Sequence, residues 1–283
     1  MSKRILIIGA NPFDSGKTNL SLKVAKSLKA NGKLVEYFKP MSGSNYWYRY
    51  DHIQTCFKDK KIYSLDAHRA RMALDSTLPI EIINPIHTLF VPAILERPDE
   101  IISHSLAMNG WDSIFALRRF SKPDTDGIKS VALVAKNLIV SGRLMLTPEY
   151  ANTLTHENEI IPFNSLEEVL AYTEQVLEGV LDSNLEYIER SAEITIIESF
   201  NNTAWPWEGL DDVDTVLVTG PGHIFVYDAE RFRKATILKK FKSQAIREVP
   251  FSRVAEIIKP IERILISAGE DIDEWQLEKM GIV

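Results

Sequence analysis

Residues 3–20 read KRILIIGANPFDSGKTNL: an apolar, β-branched run that stops at a glycine, a polar loop, and Gly-Lys-Thr opening an amphipathic helix. Such a run is a strand buried on both faces of a sheet. The helix after it carries Leu20, Val24 and Leu28 on one face, and Asn31-Gly32 is placed to end it. Strand, loop and helix in this order belong to an α/β layer architecture. The loop nearly fits G-x-x-x-x-G-K-[ST], with Asn11 where the first glycine stands in that pattern. Asn enters the left-handed region more readily than most residues, and Gly9 two positions earlier supplies the sharp exit from the strand.

The chemistry of the loop follows from its position. Backbone N–H groups at a helix N-terminus converge on anionic oxygens, a lysine reaches the outer phosphates, and a Ser/Thr hydroxyl binds Mg²⁺. Asn11, Pro12, Phe13, Asp14, Ser15, Gly16, Lys17, Thr18 and Asn19 are therefore the expected nucleotide-binding residues. A helix start that reads GKT by chance is the competing account, and the strand before it argues against that.

Further strand-like runs are LVEYF (34–38), EITIIES (193–199), DTVLVTG (214–220) and RILISAG (263–269). Helical patterns lie between them, one from about Leu166 to Leu181 and another capped by Ser252 and ending before Pro260. The expected fold is one P-loop NTPase-type α/β domain over residues 1–283. Its mostly parallel sheet is flanked by helices in three α/β/α layers, with a less regular helical insertion around 98–190. The segment VTGPGH (218–223) reads as a tight strand-to-helix turn.

Charge and cysteine content narrow the function. A net charge of -6 and a pI near 5.6 give no general affinity for nucleic acid or anionic membrane. No apolar run is long enough to span a bilayer, and the short N-terminal run reads as a first strand rather than a signal peptide. Cys56 stands alone, so no intramolecular disulfide or multi-cysteine metal site is available, and a reducing, cytoplasmic setting fits.

The second strand places Lys39 at its C-terminal end, where open α/β sheets bind ligands. A lysine there can stabilise charge on a transferring phosphoryl group, or simply be a surface lysine before Pro40. With K-P-x-S-G at 39–43 the chain resembles the dethiobiotin synthetase family, related to the cobyrinic acid a,c-diamide synthases. That family's loop also departs at the first glycine and carries an acidic residue two positions before GKT, here Asp14. Asp66-Ala67, then Asn84-Pro85 within INPIHTLFVPA, and Glu198 ending IIES follow in the same order. The resemblance covers residues 4–95 and 193–220.

The resemblance implies Mg²⁺ held by Thr18, one aspartate and Glu198. Asp66 has the family-like spacing, and Asp51 is the alternative. It implies catalytic roles for Lys17, Lys39 and Asp14, and substrate contacts from Lys39, Ser42 and Asn45. The implied reaction is ATP-dependent phosphorylation of a small-molecule carboxylate or carbamate, followed by amine attack to close a C–N bond. A homodimer is also implied. The absence of an N/T-K-x-D motif favours adenine over guanine. No glutaminase-like segment follows the last strand, so any amidation would use free ammonia, a substrate amine or a separate subunit.

SFNNTAWPW (199–207) replaces the family's glycines after the glutamate, which speaks against the dethiobiotin precursor as substrate. This stretch and SGSNYWYRYDH (42–52) read equally as a substrate pocket, with Arg49, Asn45 or His52 orienting the ligand, or as aromatic packing or a subunit interface. A nucleotide-driven switch or maturation factor acting on a protein partner is the alternative function, and a small-molecule kinase a third. His223 sits at a turn and has no metal-ligand spacing to another histidine.

Overall fold

A computed structural model describes residues 2–12, 14–97, 113–267 and 269–282. The strands are β1 (Lys3–Gly9), β2 (Val35–Phe38), β3 (Met41–Asn45), β4 (Ile86–Val91), β5 (Ile114–Asp124), β6 (Gly127–Val134), β7 (Glu159–Pro162), β8 (Ile194–Glu198), β9 (Thr215–Gly220), β10 (His223–Asp228) and β11 (Glu262–Leu265). They form two mixed sheets flanked by helices, an α/β fold compatible with three α/β/α layers.

The chain divides into two compact units. The first comprises Met1–Pro40, Asp66–Pro79 and Leu181–Val283. Its sheet runs β11-β10-β9-β1-β8-β2, and the four strands from β9 to β2 are parallel. Ile5, Leu6, Ile7 and Ile8 of β1 are wholly buried, as a central parallel strand requires. Helix α1 (Lys17–Ala30) buries Leu20, Val24 and Leu28 and ends at Asn31, with Gly32 left-handed at φ 76°. That is the stop its sequence specifies.

Two expectations change in this unit. Gly220-Pro221-Gly222 joins β9 to the antiparallel strand β10, so it is a hairpin turn and not a strand-to-helix turn. Gly222 adopts φ 76°, which the tight reversal requires and other residues rarely take. Near the C-terminus the helix is short, Phe251–Ala255, and begins after Pro250, so Ser252 lies inside it and does not cap it.

The second unit comprises Met41–Leu65 and Ile80–Val180. Its sheet, β3-β4-β5-β6-β7, has parallel pairs at both ends and antiparallel pairs between. The expected helical insertion at 98–190 is therefore only partly helical. Residues 98–112 lie outside the described residues, and 114–134 form a β-hairpin turning at Thr125-Asp126. Gly127, the first residue after the turn, has φ 127°, a conformation that favours glycine. Helix α2 (Tyr50–Asp59) belongs here, and the long helix Leu166–Glu189 begins here.

Candidate functional site

The sequence-predicted residues that assemble do so in the first unit, at the C-terminal ends of β1, β2 and β8. Strand register dictates the arrangement. Ile7 of β1 lies opposite Glu198, and Phe38 of β2 lies opposite Ile197. The next position along β2 is Lys39, which therefore emerges beside Glu198. The Lys39 ammonium lies 2.5 Å from Glu198 Oε1 and 3.7 Å from Asp66 Oδ2, and donates to the Ser199 carbonyl at 3.4 Å. Lys39 and Glu198 are almost fully buried, whereas the Asp66 side chain is 39% exposed.

Glu198 is a hub. Thr18 Oγ1 donates to its Oε1 at 3.0 Å, Tyr37 OH to Oε2 at 2.8 Å, and Ser21 Oγ to Oε2 at 3.3 Å. A carboxylate leaves water at low cost only when it is paired and hydrogen-bonded, and here a cation and three hydroxyls do both. Burial lowers the Lys39 pKa, but Glu198 and then Asp66 outweigh it, so the ammonium form is favoured. Burial and then the charge of Glu198 push the Tyr37 phenol well above its usual value, so Tyr37 remains a donor.

The loop before α1 is built around absence of side chain. Gly16 is left-handed at φ 86° and forms the N-cap of α1. Among the described residues no side chain caps this helix end, and its first turn carries no acidic residue. Helix N-termini carry N–H groups that need an outside acceptor and a positive dipole end, so this one suits an anion. Asp14 also has positive φ, 52°, and is exposed, as are Asn11, Pro12 and Asn19. Phe13 lies outside the described residues. Ser15 is buried and accepts a hydrogen bond from Lys17 Nζ at 3.3 Å. Burial, and then the neighbouring Lys39 ammonium, lower the Lys17 pKa.

Gly9 occupies the tightest position. A β-carbon there would sit 2.2 Å from Ser15 Oγ and 2.8 Å from both the Asn11 carbonyl and Lys17 Nζ. The glycine missing from position 11 is thus needed at position 9, where the loop folds back over the strand end.

Other predicted residues have other surroundings. Ser42, Asn45 and Asp51 belong to the second unit. Asn45 Oδ1 accepts from the backbone N–H groups of Trp47 and Tyr48, so this side chain shapes the turn after β3. Ser42 Oγ lies 2.7 Å from His87 Nδ1 and donates to Asn84 Oδ1 at 3.0 Å. Asp51 is an exposed residue in the first turn of α2. In the first unit Asp66, in the first turn of the helix Leu65–Ala73, is the aspartate that joins Lys39 and Glu198.

The aromatic stretch at 205–207 is packing. Trp205 and Trp207 are fully buried, Trp207 meets Phe38 edge-on at 6.0 Å, and each indole N–H has a partner.

Tyr37 and Ser21 escaped the sequence reading. Tyr37 precedes Lys39 by two residues on β2 and so shares its side, while Ser21 follows Thr18 by three on α1 and shares its face. Those periodicities were the available signal. Among the described residues no group of three or more His, Cys, Asp or Glu side chains is disposed to hold a metal. The two carboxylates at Lys39 and the Thr18 hydroxyl are an all-oxygen set of the kind Mg²⁺ accepts alongside phosphates. Comparison with protein-family models, curated proteins and solved structures finds no match to this chain.

Proposed function

We propose that the protein is an ATP- and Mg²⁺-dependent P-loop enzyme of dethiobiotin synthetase-like type. In this reading it phosphorylates a small-molecule carboxylate or carbamate in the course of forming a C–N bond. The observation that carries the reading is Glu198, a buried carboxylate shared by Lys39 and the Thr18 hydroxyl beside an uncapped helix N-terminus.

The donor set fits the groups the reading requires. The α1 N-terminus and left-handed Gly16 offer backbone N–H groups to phosphate, and the space above Gly9 admits no side chain. Thr18, Glu198 and Asp66 would hold Mg²⁺, which when bound neutralises phosphate charge and orients the oxygens. The chain's own residues do the rest. Lys17 and Lys39 bring positive charge to the strand ends, where charge on a transferring group would be stabilised. Tyr37 and Ser21 fix the Glu198 carboxylate through Oε2, leaving Oε1 toward Thr18 and Lys39.

Calorimetry with ATP and Mg²⁺, followed by ADP release against a panel of small carboxylates, tests the proposal. Wild type should bind ATP and Lys17→Ala should not. At least one carboxylate should raise ADP formation, and Glu198→Gln should bind nucleotide without turnover. Unchanged ATP affinity in Lys17→Ala would refute the site. ADP formation stimulated by a protein partner and by no small carboxylate would favour the switch reading.

A further inference from the structure

The Lys39 ammonium marks a point on which three oxygens of the first unit close. Glu198 Oε1 lies 2.5 Å from it, the Ser199 carbonyl 3.4 Å and Asp66 Oδ2 3.7 Å. Thr18 Oγ1 stands one hydrogen bond further, on the same Glu198 oxygen. Lys39 therefore engages the carboxylates that would hold Mg²⁺. Two cations on one buried carboxylate repel strongly, so the lysine and a divalent ion compete for it.

The charges at this point already balance. Lys17 and Lys39 supply two positive charges, and Glu198 and Asp66 two negative ones. Asp14 and Arg69, whose charges are felt at Lys17 and Tyr37, are exposed and of opposite sign. A divalent ion arriving alone would add two positive charges where burial makes uncompensated charge costly. A triphosphate brings the negative charge that offsets the ion.

We infer that Lys39 is a tethered stand-in for the metal. Its ammonium holds the cation position on Glu198 and Asp66, excludes a divalent ion that comes alone, and gives way when nucleotide phosphates offer it a second anionic partner. The release step rests on the proposed nucleotide function. The side chains are built for the exchange. Strand β2 and Pro40 fix the backbone on either side of Lys39, while its four-carbon stem can swing. Tyr37 and Ser21 hold Glu198 through Oε2, so the carboxylate stays in place when the ammonium leaves Oε1. Metal and nucleotide are thereby taken up together.

Equilibrium dialysis against Mn²⁺, first without and then with ATP, tests this. Without ATP, Lys39→Gln should bind one Mn²⁺ saturably, at least tenfold more tightly than wild type, and melt at a higher temperature with the ion than without it. Lys39→Gln/Glu198→Gln should lose that binding, which separates the site from surface carboxylates. With ATP, wild-type Mn²⁺ affinity should rise at least tenfold. Equal Mn²⁺ affinity of wild type and Lys39→Gln without ATP would overturn the inference, as would ATP binding that leaves wild-type Mn²⁺ affinity unchanged. The wild-type measurements stand even if Lys39→Gln is unstable, since tight Mn²⁺ binding by wild type without ATP refutes the stand-in role by itself. Failure of wild type to bind ATP would refute the nucleotide reading instead, and the release step with it.

Discussion

Gly9 and Lys17 compete for one small volume: a β-carbon on Gly9 would lie 2.8 Å from Lys17 Nζ. The lysine amine therefore rests over bare backbone at the end of β1. The Asn11 carbonyl, equally close, is main chain and cannot swing aside as a side chain can.

Gly9→Ala should accordingly disturb the loop more than a methyl group suggests. Overpacking of this kind costs about 1–3 kcal/mol, and we expect a loss in that range from urea unfolding. Under the proposed function, ATP affinity measured by calorimetry should drop at least tenfold. Wild-type stability and affinity together would show that the loop relaxes freely.

The Lys39–Glu198 pair invites a double-mutant cycle. Removing one partner of a buried pair strands the other charge, at a cost of about 3–5 kcal/mol. Lys39→Met leaves Glu198 with its hydroxyl donors and the charge of Lys17, while Glu198→Gln leaves Lys39 with the partly exposed Asp66. Lys39→Met/Glu198→Gln has no stranded buried carboxylate or ammonium, and Gln keeps acceptors for two of the hydroxyls. Its loss should be clearly smaller than the two single losses together. Additive losses in urea unfolding would mean the two charges do not stabilise one another.

The first unit was legible because its signals are local. RILIIG, LVEYF, EITIIES and DTVLVTG supply the four parallel strands of one sheet, and apolar runs of that length are hard to place elsewhere. Of RILISAG only 263–265 pair, in an antiparallel edge strand with Leu265 exposed. The loop, Lys39 and Glu198 were readable for the same reason, since strand ends gather at one edge of a parallel sheet. The choice of Asp66 over Asp51 came from family-like spacing and not from such a local rule. The second sheet was missed because its strands are half-polar. In IFALRRFSKPD the buried Arg119 and Ser121 sit on a core face that hydropathy would make apolar. Arg119 is satisfied there by the Ile62 and Asn84 carbonyls, partners that no periodicity reveals.

Cys56 should behave as a buried, inert thiol. Burial pushes its pKa up to about 11, and it is wholly inaccessible. At pH 8 only about one molecule in a thousand carries the thiolate, which is the reactive form. A disulfide reagent at pH 8 should therefore leave the native protein unmodified over hours and titrate one thiol in urea. Modification within minutes under native conditions would show that α2 opens locally.

Acid should weaken the protein through His87. Burial, and then the charge of Arg119, hold its pKa well below 6.5. Nδ1 is beside Ser42 Oγ, and Nε2 is buried with no hydrogen-bond partner among the described residues. The unfolded chain takes up this proton near pH 6.5, while the folded chain resists it. The stability associated with neutral His87 is thus complete above that pH and declines as the pH falls below it. Between pH 7.5 and 5.5 one such proton corresponds to about 1.4 kcal/mol. Urea unfolding at the two pH values should show that difference in wild type, and His87→Gln should lose it. If the variant keeps the full pH dependence, the acid sensitivity originates in other groups.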